Sequence, residues 1–216
     1  MKRGLRFDAL PLGLLLALAG GSLDCYTYLN RGRVFATAET GNLVLAGVRL
    51  AQGRPDLALH YAPPILAYAA GVLAAELLRT AMAEKKPDWR RTVLLLECGI
   101  TAAAALLPLG RLDPLANVLI SFVSAAQVES FRTFAGCACA TTMCTGNLRG
   151  GTENLFLRWF KGDREAGRKA AVYYSLIAAF VTGAVLSGIL TALLGGGSAA
   201  LPCLLLAAAA LSTQGF

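Results

Sequence analysis

The sequence predicts an all-α polytopic membrane protein with six spans plus two re-entrant or broken helices, arranged as two repeats of inverted topology. Three observations carry this. First, of 216 residues 56% are hydrophobic and only 15% charged, against about 45–50% and about 25% in a water-soluble domain, which makes the bilayer the solvent. Second, the apolar residues gather into eight segments: 7–29, 34–52, 57–78, 92–109, 115–134, 138–160, 170–194 and 199–211. None alternates with a period of two over its length, so all are helical. Third, the polar residues inside two of these segments repeat.

The first segment begins after Met1-Lys2-Arg3 and is Leu-rich, as a secretory leader is, but its apolar character runs about 23 residues and so spans. The second carries Glu39, Thr40, Gly41, Asn42 and Arg49, and the sixth carries Thr145, Gly146, Asn147, Arg149, Glu153, Asn154 and Arg158. Both contain Thr-Gly-Asn-Leu, at 40–43 and 145–148. At the same offset of 105, Asp24 lies over Glu129, Tyr26 over Phe131 and Thr37 over Thr142. Tyr68-Ala69-Ala70-Gly71 then matches Phe180-Val181-Thr182-Gly183 after a seven-residue insertion. The chain therefore reads as one membrane domain, 1–216, made of repeat 1 (8–109) and repeat 2 (114–214).

Basic residues choose the topology. Eight spans with the N-terminus inside divide the Lys and Arg residues 12 inside to 8 outside. Two Thr-Gly-Asn segments that dip in and return on the same side give 15 to 5, with Lys2, Arg3, Lys85 and Lys86 inside, which fits the positive-inside rule. Each repeat then has three spans and one re-entrant arm, and the repeats enter from opposite faces. The net charge of +7 lies in such inter-segment blocks, not on a basic and aromatic face, so nucleic acid is not an expected partner.

Within a break, Gly permits positive φ, and Thr or Asn caps the helix that follows, from Leu43 in repeat 1 and from Leu148 in repeat 2. Inverted repeats bring those two helix starts together near the midplane, each a partial positive charge suited to an anion or polar acceptor. Thr40, Gly41, Asn42, Thr145, Gly146 and Asn147 are thus the candidate solute-binding residues, with the two Asn amides as donors. Helix breaks serving only packing are the plainer reading. Asp24 and Glu129, with Glu39, are candidates for proton or ion coupling, since an acid in a span usually faces an interior path. Structural pairs, Asp24 with Arg31 or Arg33 and Glu129 with Arg132, are the alternative. Glu76 and Glu97 are read as snorkelling toward Arg79 and Arg91.

The six Cys residues lie in or beside apolar segments as packing residues. The spacing of Cys137, Cys139 and Cys144 is not a standard ligand pattern, so no metal is expected. The sequence has no Walker loop, dinucleotide fingerprint, nucleophile elbow or zincin motif, and no cofactor or catalytic residue is assigned.

Ala19-Gly20-Gly21-Ser22-Leu23-Asp24, the run from Phe35 through Thr40-Gly41-Asn42-Leu43 with Gly47 and Leu50-Ala51-Gln52-Gly53, and Thr145-Gly146-Asn147-Leu148 together resemble the YoaK-like family of bacterial integral membrane proteins of unknown function. The resemblance covers nearly the whole chain. It departs at Glu39, where members often carry an apolar residue or Met, and at the Cys-rich approach to the second motif. The resemblance implies a multi-span protein of the bacterial inner membrane and carries over no substrate.

The expected function is a small-solute transporter or channel, not an enzyme, with a midplane site at the paired motifs and proton coupling through the acids. Its partners are the lipid bilayer, a small polar or anionic solute and a second copy of the chain. Two alternatives stand beside it: a membrane-embedded enzyme acting on lipid, and a structural or assembly subunit.

Overall fold

The computed structural model describes residues 6–83 and 88–213; Lys2, Arg3, Lys85 and Lys86 of the charge count lie outside them. The helices are α1 (Leu10–Asn30), α2 (Glu39–Ala51), α3 (Pro55–Ala58), α4 (Ala62–Ala81), α5 (Trp89–Leu106), α6 (Asp113–Ser130), α7 (Cys144–Phe160), α8 (Arg164–Leu194) and α9 (Ala200–Ser212). Three helical stretches, Leu10–Asn30, Pro55–Ala81 and Arg164–Ser212, are long and apolar enough to cross a membrane.

Their packing is that of helices in lipid. Along α8, Val181, Val185, Ile189 and Leu193 recur every fourth residue and are exposed, while Gly183 and Ser187 are buried. Large apolar residues outside and small ones inside are stable only where the surroundings are apolar. The two most extensive helix pairs are α1 with α8 and α4 with α6. Each closes on a glycine: Gly183 meets the Leu18 carbonyl, and Gly71 meets the Phe122 carbonyl, so closely that a Cβ at either position would collide with backbone. α9 also packs on α1, and α5 on α6.

The expectation of helices alone is corrected in one place. Thr133–Phe134 and Cys137–Ala138 pair as a small antiparallel hairpin, turned at Ala135 (φ 48°) and Gly136 (φ 77°); two positive-φ residues make the turn that suits strand twist. The Ala135 amide donates to the Asp8 carbonyl at 2.8 Å. This ties the hairpin to one end of the molecule, where Phe7, Arg79, Trp89, Arg90 and Glu129 also gather.

The opposite end is organised by Arg31, which is fully buried. Its guanidinium donates to the carbonyls of Ala104 (3.1 Å), Leu107 (2.7 Å) and Pro108 (3.1 Å), to Asp113 (3.1 Å) and to the Tyr26 hydroxyl (2.9 Å). One cation thereby satisfies the free carbonyls at the end of α5 and joins the ends of α1, α5 and the start of α6.

Candidate functional site

Two loops, 31–38 and 131–143, leave the ends of α1 and α6 and fold back along them. In the first, Phe35 stacks on Tyr28 with ring centroids 4.9 Å apart. Thr37 reaches Asp24, about one and a half turns before the end of α1: its amide donates to Oδ1 and its hydroxyl to Oδ2, both at 2.7 Å. In the second, the Thr141 hydroxyl donates to Gln127 Oε1 (2.9 Å), and Gln127 Nε2 donates to Glu97 Oε1 (3.0 Å).

A side-chain clamp closes both loops in the same way. Asn42 accepts from the Phe35 amide (2.9 Å) and donates to the Phe35 carbonyl (2.8 Å). Asn147 accepts from the Ala140 amide (3.3 Å) and donates to the Ala140 carbonyl (2.6 Å). Each Asn thus imitates a strand partner for a residue seven positions earlier, satisfying backbone groups that the membrane interior would leave unpaired. Asn42 also donates to Glu39 Oε2 at 2.8 Å.

This corrects two expectations. The helices start at Glu39 and Cys144, four residues before Leu43 and Leu148, with no side-chain cap on either; Thr-Gly-Asn is their first turn, not the break before them. Asn42 and Asn147 are buried and hold the loops instead of aiming their amides at a solute. Both helices end on a glycine in the left-handed region, Gly53 at φ 70° and Gly162 at φ 69°, the usual stop for a helix that must turn sharply.

Between the loops lies a cavity of about 770 Å³. α1, the first loop and the start of α2 contribute Asp24, Thr37, Glu39 and Thr40; the second loop and the start of α7 contribute Thr142, Cys144, Thr145 and Gly146; Tyr28, Phe35, Tyr68 and Phe180 form walls. Glu39 and Cys144, 105 residues apart, both line it. Gly41 is outside the lining, packed beneath the Phe35 ring.

The acids separate. Asp24 and Glu39 share the cavity, and among the described residues no Lys, Arg or His forms an ion pair with either. Arg31, the partner considered for Asp24, is committed to Asp113. Glu129 is absent from the cavity; it pairs with Arg132 at the hairpin end, so Asp24 and Glu129 do not form one site. Glu97 does not snorkel to Arg91 but is fully buried against Gln127. Sequence reasoning missed Gln127; its signal is the buried face of α6, where Ala116, Ile120, Val123 and Gln127 follow helical spacing.

A family model matches residues 12–212, and its description is "Protein of unknown function (DUF1275)". The chain belongs to this family. No curated protein and no solved structure matches it. For a DUF1275 chain the family adds no ligand, so the chemistry of the cavity has to be read from the residues that line it.

Proposed function

We propose that this DUF1275 protein is a small-solute transporter or channel of the bacterial inner membrane, N-terminus cytoplasmic, with its solute site in the cavity between the two loops. The observation that carries the reading is the convergence of two equivalent helix starts, at Glu39 and Cys144, on that one cavity. Irregular backbone is tolerated at membrane depth where it lines a cavity or is buried in protein, and transporters place solute sites at such breaks between repeats.

The inverted-repeat arrangement is supported by exchange of partners. α1 with α8 mirrors α6 with α4, α1 with α9 mirrors α6 with α5, and Gly71 and Gly183 mark matching close approaches. α5 and α6, at 18 residues each, are about 27 Å long, near the ~30 Å hydrocarbon thickness. With α1, α4, α8 and the shorter α9, 13 residues or about 20 Å, they supply the six spans of this reading, and α2 and α7 are the returning arms of its re-entrant loops. Asp24 and Glu39 are the groups that would carry a coupled proton or shape the path.

The test is flux into proteoliposomes across a panel of labelled small amines, amino acids and carboxylates. Thr40→Trp and Thr145→Trp put large rings into the cavity from exposed first-turn positions. Flux seen with the native chain falls at least tenfold in both; flux unchanged in both overturns the reading.

A further inference from the structure

We infer that the cavity's ligand is a small organic cation, a protonated amine on an apolar body of about aromatic size. The inference deepens the reading above by naming the ligand class, and it rests on that reading's assignment of the cavity as the solute site.

Charge comes first. The lining has two carboxyl groups, Asp24 and Glu39, and no Lys, Arg or His. Asp24 is occupied, with an oxygen on each of the two Thr37 donors. Glu39 is not: Oε2 accepts from Asn42, while Oε1 is buried with no hydrogen-bond partner. From the opposite loop, the lining residue Thr142, only 6% exposed, has a buried Oγ1 that also has none. Two unpartnered oxygens from two loops, backed by a second carboxyl, ask for a donor that carries positive charge. Glu39 lies in the first turn of α2, where it offsets the positive end of the helix and removes the feature that favoured an anion.

The walls fix the rest of the ligand. Tyr28 and Phe35 are stacked, and Tyr68 and Phe180 line the same space. Aromatic faces attract an ammonium most strongly where water is excluded, and they also bury an apolar body. A bare Ca²⁺ or Mg²⁺ would take six or more oxygen ligands, which an aromatic wall does not supply. The cavity volume of about 770 Å³ suits a small organic molecule.

Three molecules with one skeleton test this: phenethylammonium, 2-phenylethanol and phenylacetate, titrated calorimetrically into the full chain in detergent micelles. Phenethylammonium is expected to bind at least tenfold more tightly than the other two. Glu39→Gln removes that preference. Thr40→Lys, an exposed substitution that sets a competing cation at the lining, does the same and serves if Glu39→Gln does not fold. Phenylacetate binding more tightly, the alcohol matching the amine, or no binding by any of the three overturns the ligand class. Amine-selective binding without flux of labelled phenethylammonium, or of any panel solute, overturns the transport reading alone. Flux of another solute without amine preference overturns the ligand class alone.

Discussion

Loops 31–38 and 131–143 do the same thing by different means. Their clamps are identical, Asn42 on Phe35 and Asn147 on Ala140. Their anchors differ: Thr37 is held by a carboxyl that itself lines the cavity, and Thr141 by a neutral amide backed by buried Glu97. Their roots differ again, a buried arginine for the first and a β-hairpin for the second. Their arms are also seated differently. α7 packs along α8, with Gly150 against the Tyr173 ring and Thr152 bonded to Tyr174 at 2.9 Å, whereas α2 barely touches α4 and buries only Asn42. Geometry is kept where backbone must be satisfied, and chemistry diverges where a charge is placed beside the cavity.

The largest expected effect breaks or keeps the comparison outright. With native cysteines replaced, single cysteines at Arg54 and at Gly162, just past the ends of α2 and α7, should react with an impermeant thiol reagent from opposite faces of the membrane. Inverted repeats require Arg54→Cys to label from outside and Gly162→Cys from inside. Labelling of both from one face removes the inversion and with it the equivalence of the loops.

Next is the root of the first loop. Arg31→Met strips a buried ion pair and takes the guanidinium from Asp113 and from three carbonyls, Asp113 keeping only the Gly110 amide and the Ala104 carbonyl only the Leu107 amide, a change that costs about 3–5 kcal/mol. Thermal unfolding in micelles should show a large fall in Tm. A small one would mean that water replaces the guanidinium, and that this root is no firmer than the hairpin.

The clamps come third. Asn42→Ala and Asn147→Ala each leave a half-buried amide and carbonyl unpaired, about 2–4 kcal/mol by the cost of orphaned backbone groups. The two losses should agree within about 1 kcal/mol, Asn42 being the larger through its added bond to Glu39. A loss at one position only would show that just one loop depends on its clamp.

The offset of 105 is legible in the sequence because the polar residues inside apolar runs are few, and a shared spacing among them is visible without any structure. The places where the reading erred have a common physical cause. A helix start without a side-chain cap leaves no local mark, so the glycine beyond Glu39 and Cys144 is the more visible signal. Asn42 and Asn147 reach back seven residues to backbone, a contact that no spacing rule for helices encodes. Glu129 aligned with Asp24 in number, but the hairpin after α6 shifts the second loop, and Thr141 then meets Gln127, two positions earlier. Arg91, near in sequence, suggests a Glu97 that reaches for the surface, while the buried amide it binds belongs to another helix.

The anchors give the smallest effect and the finest discrimination. Thr37→Val and Thr141→Val each delete one hydroxyl and keep its shape. The Thr37 hydroxyl donates to a carboxyl oxygen at 2.7 Å and the Thr141 hydroxyl to an amide oxygen at 2.9 Å. A hydrogen bond to a charged acceptor contributes about 1.5–3 kcal/mol and a neutral one about 0.5–1.5, so Thr37→Val should lose roughly twice as much stability as Thr141→Val. Equal losses at neutral pH would mean that Asp24 is uncharged in the folded protein, leaving Glu39 as the only negative group in the cavity. Both variants keep every lining carboxyl, so amine-selective binding in Thr37→Val separates the loop's stability from the cavity's charge.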